Sequence, residues 1–260
     1  MSRPAAITLA TVTAWAAGGL WLDAHVGATG QLVLGILTAC VLAGLLTLQS
    51  ADVRFLALGV VAIATVGEVV GSLIWGLYGY RLDNLPAFVP PGHGLVYLAG
   101  VSVATLCAAR PPLLLAVASV LAGVWGVAGL LVLPATDVAG AIGCVVLVLA
   151  FARTRQPVYA GVFLVVALLE LYGTALGTWT WASTVPGLGL PQGNPPSGVA
   201  SGYVVFDVLA LSLVAWLRSA GSTLLPKEAT CRPARGRPFR TLSALPADRS
   251  TTREGWQAWQ

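Results

Sequence analysis

An all-α, polytopic membrane protein is the fold class this sequence predicts, and three observations predict it. The 260 residues are 57% hydrophobic and only 9% charged. That is more apolar surface than a soluble core can hide, so lipid has to be the solvent for most of it. The apolar residues gather into runs near the roughly 17 to 25 residues that a helix needs to cross hydrocarbon. The few charges are confined largely to the gaps between those runs.

Eight such runs are predicted as helices, at 5–22, 31–49, 55–76, 94–109, 112–132, 137–152, 157–178 and 199–217. Arg3 ahead of the first, with Ala14, Trp15 and Ala16 inside it, resembles a secretory leader and its cleavage site. An internal repeat argues that this run is retained. Trp15, Gly19 and Leu20 in the first run match Trp125, Gly129 and Leu130 in the fifth, and Cys40 in the second matches Cys144 in the sixth. Glu68 and Gly71 in the third match Glu170 and Gly173 in the seventh, while Pro90 and Pro91 before the fourth match Pro195 and Pro196 before the eighth. Four matches in one order predict a duplicated four-helix unit. Its copies span 1–110 and 111–218, with a disordered basic tail at 219–260. An even number of crossings orients both copies alike, about a pseudo-twofold along the membrane normal.

Arg and Lys set the expected orientation. Arg3, Arg54, Arg110, Arg153, Arg155, Arg218 and the basic residues of the tail fall on one side of eight alternating helices, and only Arg81 on the other. The positive-inside rule then makes the chain a multi-pass cell-membrane protein with both termini cytoplasmic. The loops at 78–93 and 179–198 face the other side. The net charge of +4 comes from the tail, which suits anionic lipid headgroups rather than nucleic acid. Cys40, Cys107, Cys144 and Cys231 have no CxxC spacing and read as packing residues, not as a metal site.

The chemistry is expected where carboxylates enter hydrocarbon. Glu68 and Glu170 each lie about 13 residues, or roughly 20 Å, into their runs. In a core about 30 Å thick both belong to the outer half. Helical spacing puts Ala64, Gly71 and Trp75 on the Glu68 face, and Val166, Gly173 and Gly177 on the Glu170 face. Asp207, one turn beyond Tyr203, and His93, one turn before Tyr97, complete the candidate catalytic set. An unpaired carboxylate in hydrocarbon is costly, so such residues mark function by default; Arg81 is the nearest candidate partner. Trp75, Tyr78, Tyr80, Tyr97, Trp179, Trp181, Asn194, Ser197 and Tyr203 are the expected substrate contacts. Asn194 before Pro195 also fits a helix N-cap. Asp23, His25 and Asp137 are expected to be solvated in outer loops.

Sharper motifs are missing. Pro91, Gly92 and His93 lack the basic and second-histidine elements of membrane lipid phosphatases, Ser197 and Gly198 lack an intramembrane protease setting, and no GxGxxG or Walker loop is present. The acids and His93 suit several divalent ions chemically, but no spacing singles out a metal, and no cofactor is named.

The series Glu68, Gly71, Gly76, Tyr78, Tyr80, Pro86, Val89 and Pro90 resembles the signature of membrane carotenoid hydratases of the bisanhydrobacterioruberin type, in which E, G, GxYxY, P and VP follow in that order. The resemblance covers about thirty residues, and His93 and the segment at 194–198 lie outside it. It implies a protonated carboxylate donating to a polyene double bond, rings facing the carbocation, and a second carboxylate activating water, with Glu68 and Glu170 as the acid/base pair. The expected function is therefore an intramembrane enzyme acting on a lipid, isoprenoid or carotenoid substrate. A proton- or cation-coupled transporter or lipid carrier, and a structural subunit of a membrane complex, are the alternatives.

Overall fold

The computed structural model describes residues 2–224, with side chains to Val214 and that of Trp216; residues 225–260, most of the expected tail and Cys231 included, lie outside them. The helices are α1 (Arg3–Asp23), α2 (Ala28–Leu46), α3 (Ala51–Glu68), α4 (Val89–Leu106), α5 (Pro111–Leu131), α6 (Val138–Thr154), α7 (Pro157–Ala175) and α8 (Ala200–Leu224). A π-helical turn (Val69–Ile74) continues α3. Two three-residue strands, β1 (Tyr78–Tyr80) and β2 (Trp179–Trp181), follow the third and seventh helices.

Local chemistry explains the helix starts. Proline stands in the first turn of α1, α4, α5 and α7, where its missing N–H costs nothing and its fixed φ is already helical. Ser50 Oγ accepts from Val53 N at the head of α3, and an Asp137 side-chain oxygen accepts from Gly140 N at the head of α6, each satisfying one orphan donor. The Asn194 N-cap expectation fails, because α8 begins only at Ala200.

Among the described residues, five helices are long and apolar enough to cross a membrane: α1, α2, α3 with its π-helical turn, α5 and α7. The α6 helix and the Ala200–Val214 part of α8 are shorter apolar helices. Large side chains such as Phe55, Val66, Ile74, Val120, Leu131 and Leu168 are exposed along this exterior. That surface is stable against lipid and costly against water. The α4 helix differs in kind, with Pro, Gly and His in its first two turns and every residue from His93 to Gly100 buried. It is enclosed by α1, α2, α3 and α7.

Two apolar cores flank that helix. One gathers Val12, Leu42, Val60 and Leu98, and the other Leu114, Leu147, Phe151 and Phe163. They are joined where α4 crosses α7 at Gly100 and Gly161, since a Cβ on Gly161 would collide with the Gly100 carbonyl. Small residues at such a crossing let two backbones approach closely. The strands pair antiparallel, Tyr78 with Trp181, Gly79 with Thr180 and Tyr80 with Trp179. The ribbon is closed by Arg81 N donating to Thr178 O and Ala182 N donating to Leu77 O, both at 3.0 Å. An all-α reading therefore needs this ribbon added. It lies at the end of the bundle where α3 and α7 finish.

Candidate functional site

Each glutamate is held by the rings of the strand that follows it. Glu68 Oε2 accepts from Tyr78 Oη at 2.7 Å and Tyr80 Oη at 2.6 Å. Glu170 Oε2 accepts from Trp179 Nε1 at 2.9 Å and Trp181 Nε1 at 3.1 Å. Successive side chains of a strand alternate faces, so i and i+2 point the same way. The YxY and WxW spacings thus aim both rings of each strand at one acid. The antiparallel register relates the two arrangements by a local twofold through Gly79 and Thr180.

The tyrosines lie 10 and 12 residues beyond Glu68, the tryptophans 9 and 11 beyond Glu170. The π-helical turn absorbs this extra residue. A π turn closes i to i+5 instead of i to i+4, as Trp75 N to Val70 O does at 2.7 Å. Both helices then end on a left-handed glycine, Gly76 (φ 74°) and Gly177 (φ 69°), and the next N–H folds back to Gly71 O and Gly173 O respectively. This is the glycine-terminated helix end that spares orphan carbonyls. The turn also corrects one expectation. An unbroken α-helix would put Trp75 on the Glu68 face, but one inserted residue rotates it by about 100°. Trp75 is exposed and donates from Nε1 to Pro186 O at 2.9 Å, outside the cavity.

The matching glycines make room for the rings. A Cβ on Gly173 would collide with the Trp179 ring, and one on Gly71 would press on Tyr78 at 3.3–3.4 Å. A third polar ring reaches each acid from a neighbouring helix. His93 Nε2 on α4 is 2.8 Å from Glu68 Oε1, and Tyr203 on α8 lies beside Glu170. The His93 and Tyr203 rings stack with centroids 5.0 Å apart.

Both acids and all six of these rings line one cavity of about 240 Å³. Its remaining walls are mostly apolar, from Val12, Trp15, Ala16, Gly19 and Leu20 of α1, Leu34 and Thr38 of α2, and Phe88, Leu95, Val96, Leu169 and Phe206. The hollow thus lies among α3, α4, α7 and α8 and extends toward α1 and α2, with no lining residue from α5 or α6. Tyr78 and Tyr80 have their phenol pKa pushed up from 10.0, by burial first and then by the adjacent Glu68 carboxylate. Both therefore remain O–H donors at neutral pH.

The other candidates lie elsewhere. Asp207 and Tyr97 are buried but do not line the cavity. Asn194 Oδ1 accepts from Trp181 N at 3.0 Å and so steadies β2 from outside. Ser197 donates to Asp137 Oδ2 from both N (2.6 Å) and Oγ (2.7 Å). Arg81 does not reach Glu68. Its guanidinium donates to the Asp23 and Val26 carbonyls at the end of α1, with Asp23 Oδ1 4.0 Å away. Asp23 and Asp137 are buried rather than solvated. Asp23 accepts from Gln31 Nε2 at 2.7 Å, while Asp137 also takes the Gly140 and Gly193 N–H groups at 2.9 Å. The sequence reasoning missed these roles because the donors lie up to 60 residues away in the chain. Among the described residues, no group of three or more His, Cys, Asp or Glu side chains is placed to hold a metal ion.

No protein-family model, curated protein or solved structure matches this chain.

Proposed function

We propose that the chain is an intramembrane enzyme using Glu68 and Glu170 as an acid/base pair on a double bond of an isoprenoid-like chain such as a carotenoid. The observation that carries this reading is that two buried carboxylates, each fixed by its own aromatic donors, line one otherwise apolar cavity. Apart from the acids and their donors, the wall suits an apolar chain rather than a polar solute. At about 240 Å³ the cavity is smaller than the roughly 300–1,000 Å³ of pockets that enclose a whole ligand. It fits one end of a long chain whose remainder stays in lipid.

The two acids differ in their donors, and this sets their roles. Glu68 receives two phenols and His93, a set suited to an anion. Glu170 receives two indoles on one oxygen and has the neutral Tyr203 hydroxyl beside it, a set that leaves the group able to carry a proton. Glu170 gives that proton to one carbon of the double bond, and the positive charge at the other carbon faces the aromatic rings. Water adds there, and its surplus proton passes to the Glu68–His93 pair. One C=C and one water become one C–H and one C–OH. Exchange with solvent restores both acids. This is the chemistry that the carotenoid hydratase resemblance implies.

In the same reading all eight helices cross the cell membrane as two repeats, 1–110 and 111–218, with both termini cytoplasmic and the ribbon on the opposite side. Glu68, Glu170 and His93 are the catalytic groups, and Tyr78, Tyr80, Trp179, Trp181 and Tyr203 the substrate contacts. The test is mass spectrometry of isoprenoid lipids from cells expressing the wild type, E68Q or E170Q at equal protein levels. A product heavier by one water is expected with the wild type alone. Identical lipid profiles in all three would sink the proposal.

A further inference from the structure

One buried acid takes no part in that chemistry. Asp207 on α8 is 3% exposed, yet its Oδ2 has no hydrogen-bond partner. An orphaned carboxylate oxygen among apolar helices costs free energy that a leucine there would not. Its neighbours suggest a use. Asp207 lies one helical turn, about 6 Å, beyond Tyr203 on the same face of α8. Tyr97 lies one turn beyond His93 on α4, and the His93 and Tyr203 rings stack at 5.0 Å. The two helices thus carry His93 with Tyr97 and Tyr203 with Asp207 at equal spacing, one pair at the cavity and the other a turn deeper.

The surroundings of Asp207 extend the series. Asp207 is within electrostatic reach of the hydroxyls of Tyr97 and Tyr159, both buried. Tyr159 stands in the first turn of α7, eleven residues before Glu170 and so about 16 Å from its level. The α3 helix meets α8 at Gly59 and Gly67 and has no titratable side chain between them. Tyrosine hydroxyls both donate and accept, and a carboxyl group does so when protonated. Such groups in series pass protons where each gap closes to hydrogen-bond distance or is bridged by a water.

We propose that Asp207 is a proton-relay residue, linking the Tyr159 end of the bundle through Tyr97 and Tyr203 to the His93, Glu68 and Glu170 cluster. The proposal rests on the acid/base reading of the two glutamates and adds where their protons come from. No bond other than O–H and N–H changes along the path, and each proton received is one passed on.

The experiment is infrared spectroscopy of the full chain in lipid vesicles after a rapid switch to D₂O. The carboxyl band of Glu170 is identified as the one lost in E170Q and kept in E68Q. Asp207→Asn is expected to slow its exchange by about a hundredfold or more, the order seen when a positioned proton-transfer group is lost. Asp207→Glu is expected to restore the rate. Wild-type exchange in D207N overturns the relay. So does a D207E as slow as D207N, which would mark a purely structural position. If D207N yields no folded protein, Tyr97→Phe carries the same test, with slowed exchange expected and an unchanged rate against it. The readout needs no turnover, so a failed lipid assay and a failed relay are told apart.

Discussion

Replacing Tyr80 by Phe removes one oxygen and nothing else from the cage around Glu68. Tyr80 is buried and donates to Glu68 Oε2 at 2.6 Å, while Tyr78 donates to the same oxygen at 2.7 Å. Phe fills the ring's volume, so no cavity term enters. What is lost is a hydrogen bond to a carboxylate, about 1.5–3 kcal/mol, against about 0.5–1.5 kcal/mol for a bond between neutral groups. With Glu68 replaced by Gln only the neutral bond remains to lose. The cycle of wild type, Y80F, E68Q and the double variant should then show a coupling of about 1–1.5 kcal/mol. Denaturant unfolding of the detergent-solubilised protein measures it. A cycle additive to within about 0.5 kcal/mol, the margin for independent sites, would refute the claim that Glu68 is held as an anion by these phenols.

Four further outcomes are expected. Gly173→Ala should displace Trp179 and lower the unfolding temperature far more than Gly71→Ala, because the first Cβ collides with the indole and the second meets Tyr78 at 3.3–3.4 Å; tryptophan fluorescence and thermal unfolding check both. Asp137→Ala strips the acceptor from Gly140 N, Gly193 N and Ser197, and should cost about 2–5 kcal/mol in chemical unfolding. Alkaline titration gives the third. Tyr78 and Tyr80 ionise above 10.0 when folded, so their stabilisation is present below pH 10.0 and is lost as pH rises beyond it; the wild type should therefore lose stability in that window more steeply than Y78F/Y80F. Finally, deleting Ile74 should leave a folded protein, since it turns the π turn back toward α geometry, whereas deleting Thr174 from α7 should not. The yield of monodisperse protein compares the two.

Much of this was legible in the residues because helices in lipid must be long and apolar, and acids within them are rare. Glu68 and Glu170 could be matched from the spacing of the two halves alone, but their rings read as substrate contacts rather than as donors to the acids. Trp75 was misplaced because its expected face assumed 3.6 residues per turn through a segment that contains one more. The clue was present, since the glycine that ends the helix stands eight residues after Glu68 and seven after Glu170. The ribbon was missed although YxY and WxW alternate as a strand does, because three residues are too few for periodicity to register. Asp23 and Asp137 looked solvated because nothing local shows that distant loop amides fold back over them. Asp207 is buried within the bundle but apart from the other candidate catalytic residues, a full turn beyond the Tyr203 ring that lines the cavity.

The two cages share one frame and differ in chemistry. Under the proposed acid/base division, identical donors would give both carboxylates one intrinsic proton affinity, and the frame would not set which of them acts as acid and which as base. Here the first cage has phenols and a histidine on α4, while the second has indoles and a tyrosine on α8. The walls diverge as well. Beside Gly19 there is only its own helix's Trp15, whereas the matching Gly129 has Asp137 and Ser197 packed against it. The loop clamped by Asp137 therefore fills in the second half the space that α1 leaves open in the first. On the proposed function, a chain in the cavity would lie against α1. Enlarging Gly19 to Leu should then obstruct the cavity while leaving both cages intact. The same enlargement at Gly129 should instead break the Asp137 clamp and unfold the second half.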